Sequence, residues 1–395
     1  MIFPLVNIIK NFDWGCLESL NVLFDIPNPK NQPQAELWMG DHPLGCSKVK
    51  LSRGNEILLS ELIANNPDEL LGSRSNGVGL PFLMKILAAD KPLSLQVHPS
   101  KVSAREGFEK ENIAGIPVDS PIRNYKDPNH KPELVFAITN YLAMNGFREI
   151  NKICELFTAL NIHSLSKAIS KLKRGDDEAA LRGFFSHLMR MSKEEKSIAI
   201  QELKDGISHY ARNNGSDEII LLVQEMAHLY AGDVGVFSPL LFNIIELQPG
   251  EAMFLHAETP HAYIRGTAIE VMACSDNVLR AGLTPKHIDV EELLKNTNFT
   301  STKYTDLKLE AKQEGSRTQF PVPIDDFKFE IINIHESSEI TQPVGPEILL
   351  CLEGDVLIEE LCGAMKLSRG QSVFIAADTD NYALSGIGKV ARAYQ

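Results

Sequence analysis

The chain contains 21 prolines, yet none falls between Pro132 and Pro239. Proline removes a backbone donor and clashes with the preceding turn, so a long stretch without it is one where continuous helices can form. Inside the gap, Glu149–Leu160, Ser164–Lys173, Asp177–Met191 and Lys193–Asn213 carry apolar residues at three- and four-residue steps, with Ser and Asp at N-cap positions. Ser216–Tyr230 adds a further helix. On either side the texture changes to short β-rich runs broken by Gly and Pro: Pro81–Leu87, Leu93–His98, Leu134–Thr139, Ala252–Leu255 and Ala268–Ala273. The expected architecture is mainly β with an α-helical insert, an antiparallel domain interrupted by helices.

A faint internal repeat extends this reading. Leu247–Tyr263 aligns with Leu367–Ala383, matching Leu247/Leu367, Gly250/Gly370, Phe254/Phe374, Ala257/Ala377 and Thr259/Thr379. The glycines fall where a hairpin turn is needed and the phenylalanines where a core strand is needed. Two related β-barrel (jelly-roll) domains plus a helical domain follow. The expected boundaries are 1–148 for the first segment of the catalytic barrel, 149–233 for the helical insert, 234–310 for the second segment, and 311–395 for a C-terminal barrel. In the second copy Asn381 stands for His261 and Ala376 for His256, so that barrel is expected to hold no metal.

Composition narrows the function classes. With 44% apolar and 23% charged residues the chain is globular, and no apolar run approaches the ~20 residues that span a bilayer. The opening MIFPLVNIIK lacks the basic-then-apolar order of a secretory signal, which points to the cytoplasm. A net charge of −13, with no Lys/Arg block to offset it, excludes nucleic acid and anionic membranes as partners. Any anionic substrate must be captured by a few placed cations. The six cysteines are scattered without a Cys-x-x-Cys pair, so they read as reduced core residues rather than disulfides or thiolate metal ligands.

Three short segments carry the chemistry. Strict alternation in Leu93–His98 places Ser94, Gln96 and His98 on one face of a strand. In Asn129–Glu133, Pro132 holds Lys131 extended and leaves Glu133 at the mouth of a strand. In Thr259–Gly266, read as a strand entering a turn, His261 and Tyr263 share a face, and a return strand brings Glu270 to the same side. Each alone has an ordinary alternative: a solvated face, a solvated carboxylate or a core histidine. Together Gln96, His98, Glu133 and His261 form a mixed N/O donor set suited to zinc, with Mn, Fe or Co open as alternatives. Downstream, Arg280 and Lys286 in the Ser275–Lys286 loop are cations able to clamp a phosphate or polarise an oxygen.

The combination resembles the type I mannose-6-phosphate isomerases, or phosphomannose isomerases, zinc enzymes built on cupin barrels. The resemblance runs through Phe12–Gly15, Glu36–Gly40, Gln96–Pro99, Asn129–Glu133, Pro260–Tyr263 and Ser275–Lys286, with the helical insert in the expected place. It implies one zinc per chain on Gln96, His98, Glu133 and His261, a catalytic Arg280, and interconversion of mannose 6-phosphate and fructose 6-phosphate through a cis-enediol. Lys131, Glu270, Asp276 and a metal-bound water compete for the proton-transfer role. For substrate binding the expectation is Lys286 at the phosphate, with Lys85, Ser94 and Tyr263 alongside. The chain departs from the family at Phe12, where Tyr is commoner, at Asp41, where Ala is, and at Val97 and Ser100 beside the metal histidine. A monomer acting on a small sugar phosphate is expected, with a non-catalytic binding module and a cupin oxygenase as the rival classes.

Overall fold

The structure, a computed structural model, describes residues 1–51, 54–72, 79–175, 177–214, 217–335, 339–361 and 363–395. It consists of two β-barrels and a helical insert. The helices fall where the periodicity predicts: Ile150–Ala159, Ser166–Gly175, Glu178–Met189, Lys193–Asn214 and Glu218–Leu229. In the first of these Ile150, Ile153, Cys154 and Phe157 form one buried stripe. Asp177 and Asp217 cap the helices that follow them, accepting from the N–H groups of Ala180 and Ile220. Ser192 and Glu195 exchange backbone hydrogen bonds as a capping box at the head of the longest helix. Ser216, the expected start of the last helix, and Cys362 lie outside the described residues.

The first barrel is organised by one strand, His261–Ala273. The expected turn after Arg265 does not form; the chain runs on as a single strand that changes partners. Residues 261–265 pair with the strand Tyr141–Phe147, residues 266–273 pair with Phe82–Ala89, and residues 268–272 also pair with Glu133–Ala137. Gly266 sits at the changeover with φ of +112°, and a Cβ there would lie 2.4 Å from the carbonyl oxygen of Asn140. A side chain is therefore excluded by contact as well as by conformation. A bulge lies between Tyr263 and Arg265. One extra residue reverses the inward-outward alternation, which is why Tyr263 and Glu270, an odd number of residues apart, face the same interior.

The aligned repeat occupies equivalent structure in both barrels. Ala252–Leu255 and Ser372–Ile375 are strands at the aligned positions, each preceded by a positive-φ glycine, Gly250 and Gly370. The strands His261–Ala273 and Tyr382–Tyr394 then follow. The interior of the second barrel holds a different polar group: Arg392 donates to Glu347 and Glu330, and the Tyr382 hydroxyl donates to Glu347 at 2.7 Å. Asn381 is exposed at the position aligned with buried His261.

The barrels pack sheet against sheet through one apolar layer. Leu37, Ile86, Phe136 and Val271 from the first meet Phe329, Ile348, Phe374 and Ala391 from the second. The N-terminal strand Ile2–Val6, placed by chain position within residues 1–148, pairs with Ser372–Ile375 of the second barrel, with Phe3 opposite Phe374. It ties the two ends of the chain together. Cys154 and Cys351 are buried as expected, whereas Cys16, Cys46 and Cys274 are thiols at half-buried positions. Among the described residues no helix is long and apolar enough to cross a membrane.

Candidate metal centre

Strand pairing brings the separate segments to one end of the first barrel. His261 lies directly across from Gln96, and Gln96 in turn across from Arg280. Glu133 pairs with Leu255 on one side and Met272 on the other. Glu270 faces Lys85 across adjacent strands. The alternation seen in Leu93–His98 holds, and Pro99 ends the strand just before the helix capped by Ser100.

His98, Glu133 and His261 converge as one buried group whose ligand atoms lie within 4.8 Å of one another. His98 Nε2 is 3.4 Å from Glu133 Oε1, and His261 Nε2 is 3.4 Å from Oε2 of the same carboxylate. Each imidazole turns its Nδ1 to a backbone carbonyl, that of Asn277 at 2.7 Å and that of Thr259 at 2.9 Å. Carbonyls only accept, so Nδ1 carries the proton of the neutral ring and Nε2 presents a lone pair. The Nε2 of His98 is fully buried with no hydrogen-bond partner. A buried orphan acceptor aimed at a carboxylate and a second imidazole is the donor set a divalent metal satisfies. Gln96 donates through its amide nitrogen to Ser94 Oγ at 3.2 Å, so its other end, the amide oxygen, can join the set.

The surrounding charges keep the ligands in metal-binding form. Burial, with the Lys131 ammonium next, drives the His98 imidazole down to about 4, so it stays neutral. Burial would raise Glu133, but Lys131 and the two histidines outweigh it and hold the carboxyl well below its ordinary range. Lys131 Nζ is 2.7 Å from Glu133 Oε1, and the Tyr263 hydroxyl bridges Glu133 Oε2 at 2.7 Å and Glu270 Oε1 at 2.9 Å. Lys85, expected as a lesser phosphate contact, is instead enclosed: its ammonium is 2.7 Å from Glu270 and 3.9 Å from Glu36. Those carboxylates overcome the effect of burial and raise its pKa. The buried cluster of Glu36, Glu133, Glu270, Lys85 and Lys131 carries one more carboxylate than ammonium, and a dication turns that excess positive.

At the mouth the charge is of the other sign. Arg280 is half-buried, and its guanidinium meets no carboxylate among the described residues; burial pushes its pKa down. Lys286 is pushed down by burial and then by the neighbouring Arg280 and Lys126. Lys286 thus lies near two further cations, and such a grouping on an acidic protein is able to attract an anion.

Several members of the site were not singled out from sequence. Lys126 completes the cationic mouth. Asn277, fully buried, accepts from the N–H of Lys126 at 2.7 Å, donates to the carbonyls of Asp127 and Asn129, and offers its own carbonyl to His98. It clamps the Ser275–Lys286 loop to the segment that leads into Glu133. Glu36 and Trp38 share a strand face, and Trp38 donates to Glu36; their two-residue spacing was the available signal. His130, next to Lys131, turns away and pairs with Asp326 at 2.9 Å.

Comparison with known proteins follows the same outline. Residues 2–150 match the catalytic domain of type I phosphomannose isomerase, 157–242 its helical insertion domain, and 316–395 the cupin domain of mannose-6-phosphate isomerase. The chain is 43% identical to a mannose-6-phosphate isomerase of Escherichia coli, over 99% of this chain and 98% of that protein. It is 34% identical to one from Mus musculus, over 95% and 94%. A crystal structure of a point mutant of phosphomannose isomerase from Salmonella typhimurium superimposes with a TM-score of 0.94 at 42% identity, covering 100% of this chain and 99% of that one. A zinc-bound mannose 6-phosphate isomerase gives 0.93 at 42% identity with the same coverage.

Proposed function

The chain belongs to the type I phosphomannose isomerase family, and from that premise we infer that it interconverts mannose 6-phosphate and fructose 6-phosphate, a metal-dependent aldose–ketose isomerisation through a cis-enediol. The observation that carries the reading is the pair of imidazole Nε2 atoms converging on the buried Glu133 carboxylate, with His98 Nε2 otherwise unpartnered. Zinc, one per chain, fits His98, His261, Glu133 and the amide oxygen of Gln96. When bound it supplies Lewis-acidic positive charge for substrate oxygens.

The reaction moves a proton between C2 and C1 of a sugar whose carbon acid is too weak to ionise unaided. Arg280, a half-buried cation with no carboxylate partner among the described residues, stabilises the enediolate oxygen as charge develops. Lys286, flanked by Lys126, holds the phosphate at the mouth. Of the protein groups able to carry the proton, Glu270 is occupied by Lys85 and Tyr263, and Lys131 is paired with Glu133. Asp276 keeps a partly exposed carboxylate, and the transfer is assigned to it. Tyr263 and Lys85 keep the carboxylates in place, and Ser94 orients Gln96.

The chemistry belongs to the barrel of residues 1–148 and 234–310, with 149–233 and 311–395 as its scaffold. A monomer suffices, because the proposed ligands and cations all come from one chain, and the scattered spacing of the six cysteines suits the cytoplasm. The test is a coupled assay for fructose 6-phosphate formed from mannose 6-phosphate, before chelation, after it, and with Zn²⁺ restored. Turnover lost and regained with zinc supports the reading. A folded, zinc-loaded protein without turnover replaces it with a binding module, and oxygen consumption with a cupin oxygenase.

A further inference from the structure

His42 has so far had no role, yet it is placed with care. Its side chain is 3% exposed and stands edge-on to Trp38, with ring centroids 5.0 Å apart at 88°. The Leu44 backbone N–H donates to its Nδ1 at 3.2 Å. A backbone N–H can only donate, so Nδ1 is the acceptor and the proton of the neutral ring sits on Nε2. Nε2 faces Asp276 Oδ1 at 3.4 Å. This is the opposite tautomer from the two metal-binding histidines, whose Nδ1 atoms face carbonyls.

Asp276 is held from its other side as well. Its backbone N–H donates to Asp127 Oδ2 at 2.7 Å, and Asp127 also accepts from Ser275 Oγ at 2.8 Å. The loop backbone is thereby fixed, while the Asp276 side chain remains 32% exposed. Among the described residues, His42 is the polar side chain that meets its carboxylate. Burial keeps the ring neutral by lowering the His42 pKa; Asp276 and Asp127 oppose the fall, and Lys85 and Lys131 add to it. A neutral ring with one fixed N–H is a directional donor to a carboxylate.

We propose that His42 is a positioning residue for proton transfer, its Nε2–H, 3.4 Å from Oδ1, orienting the Asp276 carboxylate towards the reacting carbon. The inference rests on assigning proton transfer to Asp276. In the forward direction Asp276 takes the proton from C2 and returns it to C1 while the hydroxyl proton passes from O2 to O1, so the residue ends as it began. His42 keeps its own proton throughout. Orientation of this kind is where small displacements are expensive: an error of about 1 Å can cost roughly 10²-fold in rate.

The experiment uses the full zinc-loaded chain and four variants: His42→Phe, His42→Gln, Asp276→Asn, and the His42→Phe/Asp276→Asn double variant. Measured on each are kcat, KM for mannose 6-phosphate, zinc content, and the primary isotope effect with substrate deuterated at C2. His42→Phe keeps the ring packing and lowers kcat about 10- to 100-fold, with KM and zinc content unchanged and a larger isotope effect. His42→Gln recovers most of the loss, since its amide nitrogen reaches where the Nε2–H stood. The double variant is no slower than Asp276→Asn alone. Unchanged kcat in His42→Phe, no recovery in Gln, or a double variant well below Asp276→Asn each overturns the proposal. Should the Phe variant not fold, Gln is compared with His42→Asn, whose amide reaches only the Nδ1 position; equal activities overturn it too. Near-normal turnover in Asp276→Asn instead removes the assignment beneath the proposal, an outcome distinct from a slow Asp276→Asn beside a normal His42→Phe.

Discussion

Asp41 is predicted to make the fold less stable as the pH rises. Its Oδ2 accepts the Leu80 N–H at 3.0 Å. Burial pushes the carboxyl up to about 6 from 3.8, against the pull of that hydrogen bond and of its own backbone N–H. The folded state therefore binds this proton more tightly than the unfolded chain does. The stabilisation is fully present below pH 3.8 and is lost as the pH rises through about 6. At about 1.4 kcal/mol per pH unit the gap corresponds to roughly 3 kcal/mol, and partial solvent access reduces this to about 1–3 kcal/mol. Asp41→Asn keeps the volume and an acceptor for Leu80 but removes the charge. Urea unfolding of both proteins at equal zinc content from pH 4 to 8 should show the variant more stable by about 1–3 kcal/mol above pH 7, with the difference shrinking through pH 6 and vanishing near pH 4. A difference independent of pH, or a less stable variant at pH 8, would refute the reasoning.

The active-site cations should separate by kinetic signature. Arg280→Ala is expected to lower kcat about 10²- to 10³-fold with zinc retained, and near-normal turnover would remove the enediolate role. Lys286→Ala, at an exposed position, should raise KM for the sugar phosphate about tenfold while leaving kcat nearly unchanged; an unchanged KM would end the phosphate assignment. In the buried cluster, Lys85→Met strands Glu270 and Glu36 without their ammonium. That should cost about 3–5 kcal/mol in urea unfolding, with Glu270→Gln in the same background restoring part. A loss below about 1 kcal/mol would mean that water, not Lys85, solvates those carboxylates.

Much of the architecture was legible because it is written in local patterns. The proline gap and the apolar steps located the insert helices to within a few residues, down to Asp177 as a cap. Two-residue alternation put Gln96 and His98 on one face, and Pro132 placed Glu133 at the start of its strand. The repeat of Leu247–Tyr263 in Leu367–Ala383 foretold strands at the right positions in both barrels.

What local pattern could not contain was decided by pairing between distant segments. Arg265–Gly266 reads as a turn, but Gly266 lets one strand bend from one set of partners to another, and the bulge beside it restores Glu270 to the face of Tyr263. Lys85 reads as a lesser substrate contact until the neighbouring strands set Glu270 and Glu36 around it. Ile2–Val6 belongs by position to the first barrel, yet completes the sheet of the second. The sequence by itself determined which residues could bind a metal and which stretches could be helix or strand, because those depend on side-chain chemistry and near-neighbour spacing. Register, bulges and the choice of polar partner depend on contacts more than a hundred residues apart, such as Lys85 with Glu270 and His42 with Asp276. Only the tertiary structure decided those.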